Sequence, residues 1–452
     1  MSDDYITLLI AAGMAPAAAR AKGPRFAEAA AALRARGVAV AGAGALFTPG
    51  RVEVLGKHTD YAGGRSLLCA VERGVCMLVA PRADGTIRVI DARVNEEAAF
   101  AFDPDVEPPV GHWSNYPMTV ARRLARNFPD ARTGADIAFS SDLPVAAGVS
   151  SSSALVVAVY LALASVNAFE RGDAFRREIT DRESLASYLG CVENGESFGT
   201  LAGDRGVGVF GGSEDQTAIL CCRPRLLSQY SYTPVRAEGA VPMPDGHVFV
   251  IADSGVVAEK AGAARDAYNR ASVATRVITR LWNDATGRAD GTLAAVLESG
   301  PGAADRVRAV LRGAVHAEYP AQVLVDRFDQ FTDESMRIIP AAHAALAAGD
   351  AARFGALVDE SQANVERWLG NQIAETIALQ RQARVLGAVA ASAFGAGFGG
   401  SVWAMVPAVG AEEFAGRWLA AYREAFPGAG PSAQTFLTGA GPAAVMLANP
   451  HV

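Results

Sequence analysis

Apolar and polar positions follow two rhythms along this chain. Residues 14–38 are rich in Ala and Arg, with apolar positions three and four apart, which predicts an amphipathic surface helix. Short apolar runs bounded by turn residues follow. Ala45–Phe47, Arg51–Leu55, Leu67–Val71, Val75–Ala80 and Thr86–Asp91 are each expected as a strand. Residues 114–128 predict a helix, and Ala135–Ser140 a strand that ends in the loop Ser141–Val149. A long apolar helix is expected from near Ser150 through Leu163, and another over residues 181–198. Gly199–Gly212 is a glycine-heavy loop, and Thr217–Cys222 is expected as a strand. The second half opens on a buried strand, Val248–Asp253, and helical patterns dominate residues 259–390. Gly395–Gly400 forms a loop before a last expected strand, Val402–Val406. No repeat of solenoid period is present. The Pro/Gly segment around 233–246 marks the expected boundary between halves 1–232 and 233–452.

Size and charge narrow the classes. A chain of 452 residues exceeds what one core usually supports, so two lobes are expected. Half the residues are hydrophobic and 20% charged, which excludes global disorder. The net charge is -7 with no Lys/Arg-rich run, which argues against nucleic acid and anionic membranes as partners. The first residues are acidic, and the apolar stretch behind them is broken by Gly13 and Pro16, so no secretory signal is expected. No run of about 18 apolar residues occurs. The five cysteines include no C-x-x-C pair and are expected as buried thiols in a reducing cytoplasm. A monomer is the default expectation, a homodimer the alternative. Lysine occurs only at Lys22, Lys57 and Lys260; every other cationic side chain apart from histidine is arginine.

Four loops hold residue types suited to chemistry. In Gly148-Val149-Ser150-Ser151-Ser152-Ser153-Ala154, a glycine turn feeds four serines into a helix start. Unpaired amides and the positive helix end there cradle anions, and hydroxyls add phosphate donors or a ligand for Mg2+. The alternative is a serine-rich cap on a structural helix. Pro49–Gly64 packs Arg51, Lys57, His58 and Asp60 into a strand and the loop after it, where site residues gather. A carboxylate such as Asp60 suits two adjacent sugar hydroxyls, whereas His58 taken alone reads as a core histidine sooner than a catalyst, and its polar neighbours favour a functional role. Gly211-Gly212-Ser213-Glu214-Asp215-Gln216 offers an acid to orient a nucleophilic hydroxyl, or only an ordinary turn. Gly395–Ser401 is glycine-rich but no dinucleotide fingerprint, because no helix follows it.

These segments resemble the GHMP family of small-molecule kinases, and within it the galactokinases. Pro49–Gly64 resembles the signature G-R-V-N-L-I-G-E-H-T-D-Y, Pro144–Ala154 the nucleotide loop P-x-G-x-G-L-S-S-S-A, and Gly395–Ser401 the motif T-G-x-G-F-G-G, in that order. The resemblance implies a two-lobed α+β fold with the active site in the cleft between lobes, and an ATP- and Mg2+-dependent kinase acting on a sugar's anomeric hydroxyl. It implies that Arg51 stabilises the transferred phosphoryl group and that Asp215 accepts the proton from, or orients, that hydroxyl. Gly148, Ser150, Ser151 and Ser153 would hold the nucleotide, and Ser152 with Glu193 or Glu196 the Mg2+. His58, Asp60, Gly212 and Tyr268 would line the sugar pocket.

Departures from the family pattern bear on substrate. Ala146 replaces a loop glycine, Ser153 adds a hydroxyl, Phe394 replaces a threonine, and Glu214 sets a second carboxyl beside Asp215. Lys57 stands where galactokinases carry a glutamate that accepts from the hydroxyl on carbon 6, and an ammonium cannot accept. One expectation is therefore that Lys57, with Lys260, meets an anionic sugar such as galacturonate or glucuronate. The other is that Lys57 pairs with Glu53, Glu214 or another acid and galactose still binds. A non-catalytic sugar sensor and another GHMP kinase, for mevalonate or homoserine, are the remaining alternatives.

Overall fold

Two sheets organise the computed structural model, which describes residues 2–130, 132–144, 147–256 and 263–450. The first contains strands β1 (Gly44–Leu55), β2 (Arg65–Pro81), β3 (Thr86–Asp91), β4 (Glu96–Ala101), β5 (Ala135–Ser141), β6 (Leu226–Ser231) and β7 (Arg236–Pro242). The second contains β8 (His247–Asp253), β9 (Ala390–Ala393), β10 (Ser401–Pro407) and β11 (Gln434–Thr438), and β12 (Val445–Ala448) returns to pair with β1. The first sheet runs β12-β1-β2-β5-β3-β4, with β6 and β7 continuing from the other end of β2; the second runs β11-β8-β10-β9. Only the β3–β5 pair is parallel among the described residues.

Two expected pairs of short strands are each one long strand. β1 runs through Pro49-Gly50 and β2 through Glu72-Arg73-Gly74, and the β1–β2 register shifts between Pro49 and Arg51. A bulge absorbs the residues that read as breaks. The expected helix over 14–38 is instead Pro16–Arg20 and Gly23–Arg34, because Pro24 fits the first turn of a new helix. The run expected as strand Thr217–Cys222 is helical up to Cys221, in a helix Glu214–Cys221, and Cys222 turns to extended backbone. Acidic residues at its start favour the positive helix end, and a short apolar run carries no period of its own. The expected boundary at 232/233 is the turn of the β6–β7 hairpin, which belongs wholly to the first sheet. Pro234 and its neighbours mark a turn there, not a linker.

Helix Ser151–Asn167 is apolar nearly all round and packs under β1 and β2 in the largest core cluster. Helices Ala374–Val385 and Ala411–Ala425 cover the second sheet around Trp418. The four helices Ala263–Thr286, Leu293–Leu297, Ala303–Arg312 and Ala321–Asp333 build a further cluster against Ala62. Parts of all these bodies meet at one cavity of about 340 Å³. Among the described residues, no helix is long and apolar enough to cross a membrane.

Candidate active site

The cavity is built on the β1 kink. A Cβ at Gly50 would lie 2.6 Å from the Val149 carbonyl oxygen, so only glycine lets the serine loop approach this strand. The Arg51 amide donates to that same oxygen at 3.2 Å. The Arg51 side chain, 4% exposed, donates from Nε to Asp215 Oδ1 at 2.9 Å and from Nη1 to the Gly148 carbonyl at 2.5 Å. The Phe394 ring lies 5.7 Å from its guanidinium carbon, so the aromatic that replaces a threonine faces the cation. Burial opposes the charge on Arg51, but Asp215, Glu53 and Glu214 outweigh it and hold its pKa above the ordinary value.

Gly148 and Ser150 have φ of 75° and 59°, the left-handed turn that feeds helix Ser151–Asn167. Ser153 Oγ lies within hydrogen-bonding reach of Glu193 Oε2 at 2.8 Å and of Asp215 Oδ2 at 3.1 Å. Gln216 Nε2 donates to Glu193 Oε2 at 2.6 Å. Asp215 therefore meets Arg51 at one oxygen and Ser153 at the other. The third glycine motif closes over this loop: Ser401 Oγ donates to the Ala147 carbonyl at 2.5 Å, and the Gly395 amide to Glu53 Oε2 at 3.3 Å. Ala146 lies outside the described residues.

The loop after β1 carries the second set. Thr59 Oγ1 bonds the carbonyls of Gly56 and Arg65 at 2.8 and 2.6 Å, closing the loop on itself. From below, Arg327 donates to the His58 carbonyl at 2.5 Å and to Tyr61 Oη at 3.1 Å. Gln330 donates to the Lys57 carbonyl at 3.1 Å, and Glu334 Oε1 accepts from the Gly56 amide at 2.9 Å. His58 sits at φ 59°, with Nδ1 2.8 Å from Tyr61 Oη and Nε2 3.0 Å from the Ala396 carbonyl. A carbonyl only accepts, so Nε2 carries the proton. Burial, with Arg327 nearby, lowers the His58 pKa to about 4, so the ring is neutral at pH 7. Asp60 Oδ2 accepts from the Glu214 amide at 3.2 Å, and burial raises its pKa to about 6. A Cβ at Gly212 would lie 2.5 Å from that oxygen. The Tyr268 ring packs 4.9 Å from His58.

Arg51, His58, Asp60, Gly148, Ser150, Ser151, Ser152, Ser153, Glu193, Gly212, Asp215 and Tyr268 all line the cavity. Two candidates stand elsewhere. Glu196 accepts from Arg276 at 2.6 Å in an exposed pair, since it follows the end of its helix and turns away. Lys57 is fully buried beneath the loop and donates from Nζ to Ser361 Oγ at 3.2 Å, which in turn donates to Glu334 Oε1 at 3.0 Å. Lys57 is not among the residues that line the cavity, because Ser361, itself held by Glu334, takes the ammonium behind the wall. Lys260 lies outside the described residues.

Other lining residues had not been singled out as site residues. Trp113, Tyr116, Phe139 and Leu143 make an apolar end beyond the serines. Glu53, expected only as a partner for Lys57, faces the cavity two positions after Arg51, a spacing that puts both on one strand face. Arg327 and Glu334 sit in an amphipathic helical stretch with no local cue to their role. Among the described residues, no three His, Cys, Asp or Glu side chains cluster closely enough to hold a metal alone. Ser152 and Glu193 both line the cavity and bring the hard oxygens that Mg2+ takes, an ion that needs few protein ligands and keeps water or phosphate for the rest.

Comparison with known proteins adds sequence relationship to this geometry. Residues 37–81 match the model of the galactokinase galactose-binding signature, and residues 115–203 that of the GHMP kinases N terminal domain. A galactokinase of Roseiflexus sp. (strain RS-1) is 30% identical over 386 residues, covering 83% of this chain and 87% of the relative. One of Chloroflexus aggregans is 29% identical over 383 residues, covering 83% and 86%. The crystal structure of Lactococcus lactis galactokinase complexed with galactose matches with a TM-score of 0.75 at 21% identity, covering 93% of this chain and 98% of that one. At that identity the likeness speaks for the fold.

Proposed function

This chain belongs to the galactokinases within the GHMP kinases, and we propose on that premise that its cavity moves the γ-phosphoryl group of ATP to the anomeric hydroxyl of galactose. The observation that carries this reading is the Asp215 carboxylate, met by Arg51 on one oxygen and Ser153 on the other, where the serine loop meets the sugar loop. Asp215 orients the anomeric hydroxyl and accepts its proton, while Arg51 faces the charge that spreads over the transferred oxygens. His58, Asp60 and Tyr268 hold the sugar, and the backbone at Gly148 and Gly212 approaches the ligands closely. Ser150, Ser151 and Ser153 hold the phosphates, and the apolar end at Trp113 and Tyr116 takes the base. Ser152 and Glu193 would hold Mg2+, which supplies charge neutralisation at the β- and γ-phosphates. Phosphoryl transfer needs mostly positioning and charge stabilisation, and these residues provide both. The five thiols, all unpaired, fit a reducing cytoplasm.

The sugar end carries Glu53, Asp60, Glu214 and Asp215 against Arg51, while Lys57 lies behind the cavity wall on Ser361. That charge balance favours a neutral hexose over a uronate. In an assay coupling ADP release to a sugar panel, galactose is expected to turn over at least about a hundredfold faster, by kcat/KM, than galacturonate or glucuronate. Equal or greater turnover of a uronate, or of no sugar at all, would overturn the reading.

A further inference from the structure

Two acids that the reaction above does not use meet in the cavity wall. Glu53 comes from β1 and Glu214 from the first turn of helix Glu214–Cys221; they are 3% and 5% exposed, and both line the cavity. Their carboxyl groups lie within hydrogen-bonding reach of each other, beside the Arg51–Asp215 contact. Glu53 Oε2 also accepts from the Gly395 amide at 3.3 Å, and no donor among the described residues reaches its Oε1. Ionised carboxylates only accept, so two can share a hydrogen bond only when one keeps a proton.

Building on the kinase reading, we propose that Glu53 and Glu214, joined by one shared proton, are a positioning pair that sets strand β1 against the Asp215 helix. Glu53 lies two residues from Arg51 on one strand face, and Glu214 precedes Asp215. The acid pair therefore ties the same two segments as the Arg51–Asp215 contact, and the Gly395 bond ties in the third motif. Losing the proton leaves two buried anions in contact, which pushes the segments apart and misaligns Arg51 with Asp215.

The surroundings favour keeping the proton at neutral pH. Arg51 and Lys57 face the pair as cations; Asp60, Asp215 and Glu334 face it as acids, with the Tyr232 and Tyr268 phenols behind. Burial is the largest effect on both, raising Glu53 to about 7 and Glu214 well above the usual carboxylate range. Coupled acids lose protons in steps that belong to the pair. Because burial makes both acids hold their protons more tightly, the linked form persists at lower pH and fails as pH rises.

The test is the pH profile of kcat for the full chain with ATP and galactose. Wild type is expected to lose kcat on the alkaline side. Glu214→Gln gives Glu53 a permanent donor, so its kcat relative to wild type should rise about tenfold toward alkaline pH. Glu214→Ala should lower kcat about 30-fold at neutral pH, with both KM values within about threefold, and Glu214→Gln should recover most of that loss. A Glu214→Ala enzyme with wild-type kcat, or a Glu214→Gln enzyme with the wild-type alkaline fall, would overturn the proposal. Should wild type phosphorylate no galactose, the kinase reading fails by itself. The pair is then judged by the infrared carbonyl band of a protonated carboxyl at neutral pH. That band should be present in wild type and absent from Glu214→Gln; an unchanged band sinks the pair.

Discussion

Replacing Asp215 by asparagine is expected to lower kcat for galactose by about a thousandfold, roughly 4 kcal/mol of transition-state stabilisation. The substitution is nearly isosteric, and an amide oxygen can still accept from Arg51 Nε, which Asp215 now meets at 2.9 Å. The basic carboxylate is lost, and with it the acceptor for the anomeric proton. Under the proposed reading, galactose binding rests on His58, Asp60 and Tyr268 instead, so KM should stay within about threefold. Steady-state kinetics with a coupled ADP assay, alongside a thermal melt to show that the variant is folded, provides the measurement. A kcat within tenfold of wild type would remove Asp215 from the reaction.

The second large effect is expected for Arg51→Lys, a loss of about a hundredfold in kcat. Arg51 works in three directions at once: Nε to Asp215, Nη1 to the Gly148 carbonyl, and its cationic centre over the Phe394 ring. A lysine keeps the charge but has one ammonium head and cannot hold the carboxylate and the loop carbonyl in one plane. The Gly148 contact also shapes the phosphate loop, so the dissociation constant for ATP should rise, by about fivefold. Equilibrium binding of ATP and single-turnover phosphorylation separate the two effects. Wild-type transfer with weakened binding alone would show that Arg51 holds the nucleotide but not the moving phosphoryl group.

Much of this arrangement was legible in the sequence because it is local. The αL turn at Gly148–Ser150, the helix it feeds and the one-sided placement of Arg51 follow from short segments and elementary backbone rules. What was not legible depends on contacts between distant segments. Lys57 reads either as a sugar-facing cation or as the partner of a nearby acid, and only Ser361 and Glu334, far along the chain, set its place beneath the loop. Glu53 and Glu214 become a pair only when the strand and the helix meet. Glu193 lines the cavity and Glu196 does not, because helix Arg182–Asn194 stops between them, a boundary that their spacing alone does not mark. Residues 217–222 have the composition of a strand, and only the acids that start the segment and the body it packs on make it a helix. The β1 kink at Pro49-Gly50 reads as a gap between strands, although the ladder to β2 resumes beyond it after a register shift.

The most direct test of the account is the product itself. Phosphorus NMR of the wild-type chain with ATP, Mg2+ and galactose should show one new sugar phosphate, coupled to the anomeric proton, growing as ADP appears. Phosphate on another carbon, or ADP and inorganic phosphate with no sugar ester, would contradict it.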